Sequence, residues 1–151
     1  MDAFTVPVGT APGEYSISVD AALVNGNPPS VVGKGLITVT HVGQVPPTMT
    51  LAKSGADITF SWSASCGEGA DNYAIYEGIL GSWYSHDPLV CEDSGAPLEE
   101  TVGPGPGDLY YLLVPRNDNE EGSYGSDSIG APRPAGASPC VTPRVLAPCP
   151  P

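Results

Sequence analysis

Apolar residues in this chain recur at every second position more often than at every third or fourth. Residues 14–23 set Tyr15, Ile17, Val19, Ala21 and Leu23 against Ser16, Ser18 and Asp20, the period of a strand with one buried face. A second β-rich run covers residues 35–42 around Leu36, Ile37 and Val39, after the loop Asn25-Gly26-Asn27-Pro28-Pro29. Gln44-Val45-Pro46-Pro47 reads as a linker, because proline denies both helix and central strand. Beyond it the spacing predicts about seven short strands. They are residues 48–51, 57–63, 72–77, 81–86, 98–102, 109–113 and 123–129. Ile58, Phe60, Trp62, Tyr73, Ile75, Leu109, Tyr111 and Leu113 share the inward face and form the expected core. Short strands separated by turn signals every 8 to 12 residues mark a sandwich.

Composition refines this picture in two ways. Gly and Pro number 19 and 18 of 151 residues, close to the level at which disorder is a fair expectation. The seven Tyr, two Trp and two Phe at strand spacing argue instead for folded β-structure with generous loops. The formal net charge of −12 argues against nucleic acid and anionic membranes as partners, and no apolar run is long enough to span a bilayer. Four cysteines in an acidic, β-rich chain indicate a disulfide framework outside the cytosol. The segment Met1-Asp2-Ala3-Phe4 lacks the basic and apolar regions of a signal peptide, so a disulfide-bonded chain of this kind is expected to be part of a longer secreted precursor. Four cysteines allow three pairings. Sequence order favours Cys66–Cys91, a loop worth about 3 kcal/mol, together with Cys140–Cys149 closing a Pro-rich tail over residues 135–151.

Two stretches carry resemblances. Val-Pro-Val-Gly-Thr-Ala-Pro-Gly-Glu-Tyr-Ser-Ile-Ser-Val, residues 6–19, resembles the closing strands of cohesin-like and other bacterial surface β-sandwiches. Phe-Ser-Trp-Ser, Asn-Tyr-Ala-Ile-Tyr-Glu-Gly, Leu-Tyr-Tyr-Leu-Leu-Val-Pro-Arg-Asn and Glu-Gly-Ser-Tyr-Gly-Ser-Asp-Ser, in that order, resemble a fibronectin type III domain. That family places a Trp on its second strand, Tyr on its third and sixth, and an Asn before the turn to its last. The resemblances imply an all-β chain: partial β-sandwich strands over residues 1–45, then a fibronectin type III (Ig-like) sandwich over residues 46–134. The cysteines depart from the usual disulfide-free pattern and suit modules of secreted bacterial proteins.

Candidate chemistry is sparse. Asn117-Asp118-Asn119-Glu120-Glu121-Gly122 resembles the opening of a calcium loop, but position 12 of that register is Ser128, where a bidentate Glu is required. A solvated hairpin turn accounts for it better. Ser85-His86-Asp87 holds the atoms of a catalytic triad on consecutive residues, which alternate faces on a strand. No nucleophile elbow, phosphate loop or zinc-protease motif is present, and the Cys and His spacing does not suit zinc. No cofactor, metal or catalytic residue is therefore expected. Tyr76, Trp83 and Tyr84 are the candidates for a binding surface, since exposed aromatics stack on sugar rings or anchor protein partners. The expected role is a non-catalytic spacer, display or binding module on the cell surface or outside it. Its partners would be other domains of the precursor or other protein chains. Two alternatives stand beside it: a fibre or oligomer subunit that self-associates through strand edges, and a carbohydrate-binding module with a glycan ligand.

Overall fold

A computed structural model describes residues 10–20, 31–93 and 98–146. The chain divides into two units, Met1–Thr40 and His41–Pro151. In the first, β1 (Gly13–Asp20) and β2 (Val31–Val39) form a two-stranded antiparallel sheet. Tyr15 lies opposite Ile37 and Ile17 opposite Gly35, with the register shifting between Val19 and Asp20. The Tyr15 hydroxyl donates to the Ala11 carbonyl at 2.8 Å. The loop at residues 25–29 and the continuation of the alternation through Ala21 and Leu23 lie outside the described residues.

The second unit is a sandwich of two three-stranded antiparallel sheets. One contains β3 (Thr50–Ser54), β4 (Asp57–Ser61) and β7 (Glu99–Val102), in the order β3-β4-β7. The other contains β5 (Asn72–Ile79), β6 (Asp87–Val90) and β8 (Leu109–Arg116), in the order β6-β5-β8. β3 and β4 form a hairpin closed at Gly55, whose φ of 64° suits a residue without Cβ. Between the sheets Phe60, Trp62, Tyr73, Ile75 and Val102 are buried, with Ile58, Tyr111 and Leu113 packed against them. Phe60 meets Tyr111 edge-on at 5.0 Å, and Trp62 lies 5.4 Å from Tyr73. Leu109, expected in this core, is only partly buried and belongs to neither apolar cluster of the unit.

The outer face of the β6-β5-β8 sheet is buried as well. Ala74, Tyr76, Leu112 and Val114 form a second cluster with Tyr124, against which Ala135 and Cys140 pack. Residues 121–146 supply this third layer without forming a strand, touching neighbours through isolated bridges such as Arg116 to Glu121 and Glu121 to Arg144. The expected strand at 123–129 is therefore absent. Pro132 and Pro134 remove backbone donors from this segment, which suits a covering layer better than a sheet ladder.

Residues 41–46 belong structurally to the second unit rather than forming a free tether. Val42 is fully buried, and the Cys66 amide donates to the Gln44 carbonyl at 3.0 Å. The backbone here is so close to its neighbours that a Cβ on Gly67 would fall 2.1 Å from the His41 carbonyl oxygen, and one on Gly122 would fall 2.2 Å from that of Gly43. Residues 81–86, expected as a strand, form a loop, and the strand begins at Asp87.

The disulfide pairing also differs from expectation. Cys91 is joined to Cys140, with their Cα atoms 5.4 Å apart. This excludes both Cys66–Cys91 and Cys140–Cys149 as pairs. Cys66 is disulfide-bonded too; Cys149 lies outside the described residues. The segment around Cys140 is thus stapled onto the central sheet rather than forming a tail beside the core.

Candidate functional site

The aromatic candidates separate sharply in the structure. Tyr76 faces the third layer on β5 and is fully buried, so it is a core residue and not part of a surface. Trp83 and Tyr84 lie in the loop between β5 and β6, with 65% and 49% of their surface exposed. Ile79 and Leu80 at the root of the loop are exposed beside them. The Trp83 indole sits 5.7 Å from the Tyr110 ring at an angle of 41°. Tyr84 has φ of 68°, a conformation that costs a non-glycine residue of order 1–3 kcal/mol and accumulates at functional positions. The loop is braced by hydrogen bonds: Ile79 N–H donates to Ser85 Oγ at 3.1 Å, and Ser85 N–H to the Ser82 carbonyl at 3.2 Å. At its base a cleft of about 230 Å³ is lined by Glu77, Ser85, Asp87 and Leu109 among others.

Beneath the loop, His86 is almost completely buried. Its Nε2 lies 3.1 Å from the Pro134 carbonyl and its Nδ1 lies 3.2 Å from the Tyr110 hydroxyl. A carbonyl only accepts, so Nε2 carries the proton and Nδ1 accepts from Tyr110. Burial lowers the pKa of the imidazole. Ser85 and Asp87 make no relay with this ring, whose two nitrogens are already engaged.

A polar cluster that the sequence did not announce lies in the third layer. Glu121 is fully buried. Tyr76 donates to its Oε1 at 2.6 Å, Tyr124 to its Oε2 at 2.5 Å, and the Val141 amide to Oε1 at 3.1 Å. Tyr76 in turn accepts from the Cys140 amide at 2.8 Å. A buried carboxylate is tolerable only when its oxygens are satisfied, and here both are. Burial, reinforced by the bond to Glu121, raises the pKa of both phenols. Burial, with the Glu77 carboxylate beside it, pushes the Tyr111 phenol up to about 12. The cluster is enclosed, so it joins the C-terminal segment to β5 rather than offering a reactive surface.

The acidic turn uses its oxygens internally. Asn117 Oδ1 accepts from the amides of Asn119 and Glu120, at 2.8 and 2.9 Å. Glu120 faces His41 Nδ1 at 3.0 Å and accepts from the Val42 amide at 3.0 Å. Among the described residues no group of three His, Cys, Asp or Glu side chains is placed to hold a metal ion. Among the same residues no helix is long and apolar enough to cross a membrane. Comparison with family models, with curated proteins and with solved structures finds no match.

Proposed function

We propose that this chain is a non-catalytic extracellular module of a larger secreted or surface protein, one that displays the loop between β5 and β6 as a binding element. The observation that carries the reading is the contrast between that loop and its support. Trp83 is the most exposed aromatic side chain among the described residues, yet it rises from a sheet buried on both faces and stapled by Cys91–Cys140. A rigid frame beneath an exposed aromatic lowers the ordering cost of binding. The disulfide supports an oxidising compartment. The fibronectin type III resemblance is supported by Trp62, Tyr73 and Tyr111 packing between two sheets.

A glycan is the ligand class this loop suits. A flat indole, exposed beside the Tyr84 ring, can stack on a sugar ring. Glycan-array binding by the whole chain, repeated with Trp83→Ala, tests this. Binding that disappears in the variant supports the reading. Absence of binding to any glycan, or binding that persists unchanged without the indole, contradicts it.

A further inference from the structure

Strand β8 is an edge of its sheet, and its backbone alternates direction. The Arg116 carbonyl accepts from Asp71 on the β5 side, whereas the Pro115 carbonyl accepts from Gly122 on the other side, at 2.8 Å. Tyr111 and Leu113 share the direction of Pro115, because alternate residues of a strand point their N–H and C=O groups the same way. Among the described residues no backbone group pairs with Tyr111 or Leu113 on that side. Instead a groove of about 360 Å³ runs beside them. Val45 and Met49 line one wall, Ser126 and Arg133 the other. None of its lining residues among those described is Asp or Glu, and Arg133 supplies a cation, in a chain with a net charge of −12.

We propose that this groove accepts the free edge of strand β1 from a second copy of the chain, adding a fourth strand to the β6-β5-β8 sheet. Three observations select this occupant. The groove offers unpaired backbone groups at two-residue spacing, which an extended segment satisfies by strand addition. Strand β1 belongs to a two-stranded sheet, an assembly that is marginal alone in water and, among the described residues, keeps one edge of β1 open. The sequence of β1, Gly-Glu-Tyr-Ser-Ile-Ser-Val-Asp, alternates apolar residues and carries acids at Glu14 and Asp20 with no cation, which suits the carboxylate-free wall and Arg133. Strand β2 carries Lys34 and complements that wall less well.

Sedimentation of the full chain across a concentration series tests the proposal, together with binding of a synthetic peptide of residues 13–20 and hydrogen exchange at residues 111 and 113. Self-association is expected, the peptide should compete with it, and both should slow exchange at the Tyr111 and Leu113 amides. Ser126 is exposed on the groove wall. Ser126→Glu should weaken peptide binding up to about fivefold, and Ser126→Lys should strengthen it by a similar factor, the range of a partly solvated charge pair. A chain that stays monomeric at high concentration and ignores the peptide overturns the proposal. So does association that leaves residues 111 and 113 unprotected and responds to neither Ser126 variant, since it would then use another surface.

Discussion

At the scale of single residues, the chain's stability concentrates in a few enclosed side chains. Phe60 is fully buried between the sheets, and Phe60→Ala should cost roughly 3–5 kcal/mol in urea unfolding, the range for deleting a buried ring. Glu121 answers to different physics. Glu121→Gln keeps the shape but replaces one acceptor oxygen with an N–H donor facing a phenol or the Val141 amide. A loss of about 3 kcal/mol is expected, within the cost of leaving buried partners of a charged group unmatched. His86 adds a pH dependence. Its folded pKa lies below the ordinary value, so the unfolded chain binds the proton more readily. The stability contribution is complete above about pH 6.5 and declines as pH falls through the unfolded pKa toward the lower folded one. Thermal midpoints measured from pH 8 down to pH 5 should fall, and His86→Gln should flatten that slope. Tyr76, Tyr111 and Tyr124 act at the other extreme. Their raised pKa values mean that the unfolded phenols lose protons first, so stability should fall as pH rises above about 10. Ultraviolet titration should show these three ionising only as the protein unfolds.

At the scale of elements, alternation locates strands but reports the burial of one face alone. The alternation of Ile58 and Phe60 with Thr59 and Ser61 appears as β4, and the strand expected at 98–102 appears as β7 from Glu99. Residues 72–77 and 109–113 also read as strands and appear within β5 and β8, but Tyr73-Ala74-Ile75-Tyr76 and Leu112-Leu113-Val114 are apolar on consecutive positions. Such continuous runs signal a sheet covered on both sides; read as simple alternation, they leave Tyr76 on the surface when it is in fact core. The covering layer itself carries no periodic signal, because residues 121–146 hold their place through Glu121, proline-rich coil and a disulfide rather than a ladder. Cysteine order offered no guide either, since a bridge of sequence separation 49 depends on where the third layer lands. Trp83 and Tyr84 are legible as binding candidates by residue type, but their exposure follows from residues 81–86 being a loop, where period-2 spacing predicts a strand. The disulfide between Cys91 and Cys140 should contribute about 4 kcal/mol by loop-closure entropy. The Cys91→Ser, Cys140→Ser double variant should lower the thermal midpoint and speed exchange of the amides at positions 140 and 141, while β3 and β4 keep their protection.

At the scale of the whole molecule, a sequence rich in glycine and proline folds its second unit by sharing one sheet between two apolar clusters. That arrangement makes the C-terminal segment a structural layer, gives the exposed loop between β5 and β6 a stiff base, and leaves the edge of β8 open along the groove among the described residues. Each of these consequences depends on residues 121–146 lying across β5 and β8, and the covalent link between Cys91 and Cys140 records that placement chemically. Mass spectrometry of a non-reducing digest is therefore the most direct test. A linked pair of peptides containing Cys91 and Cys140 is expected. A peptide joining Cys66 to Cys91, or free thiols at both Cys91 and Cys140 in protein from an oxidising compartment, would contradict it.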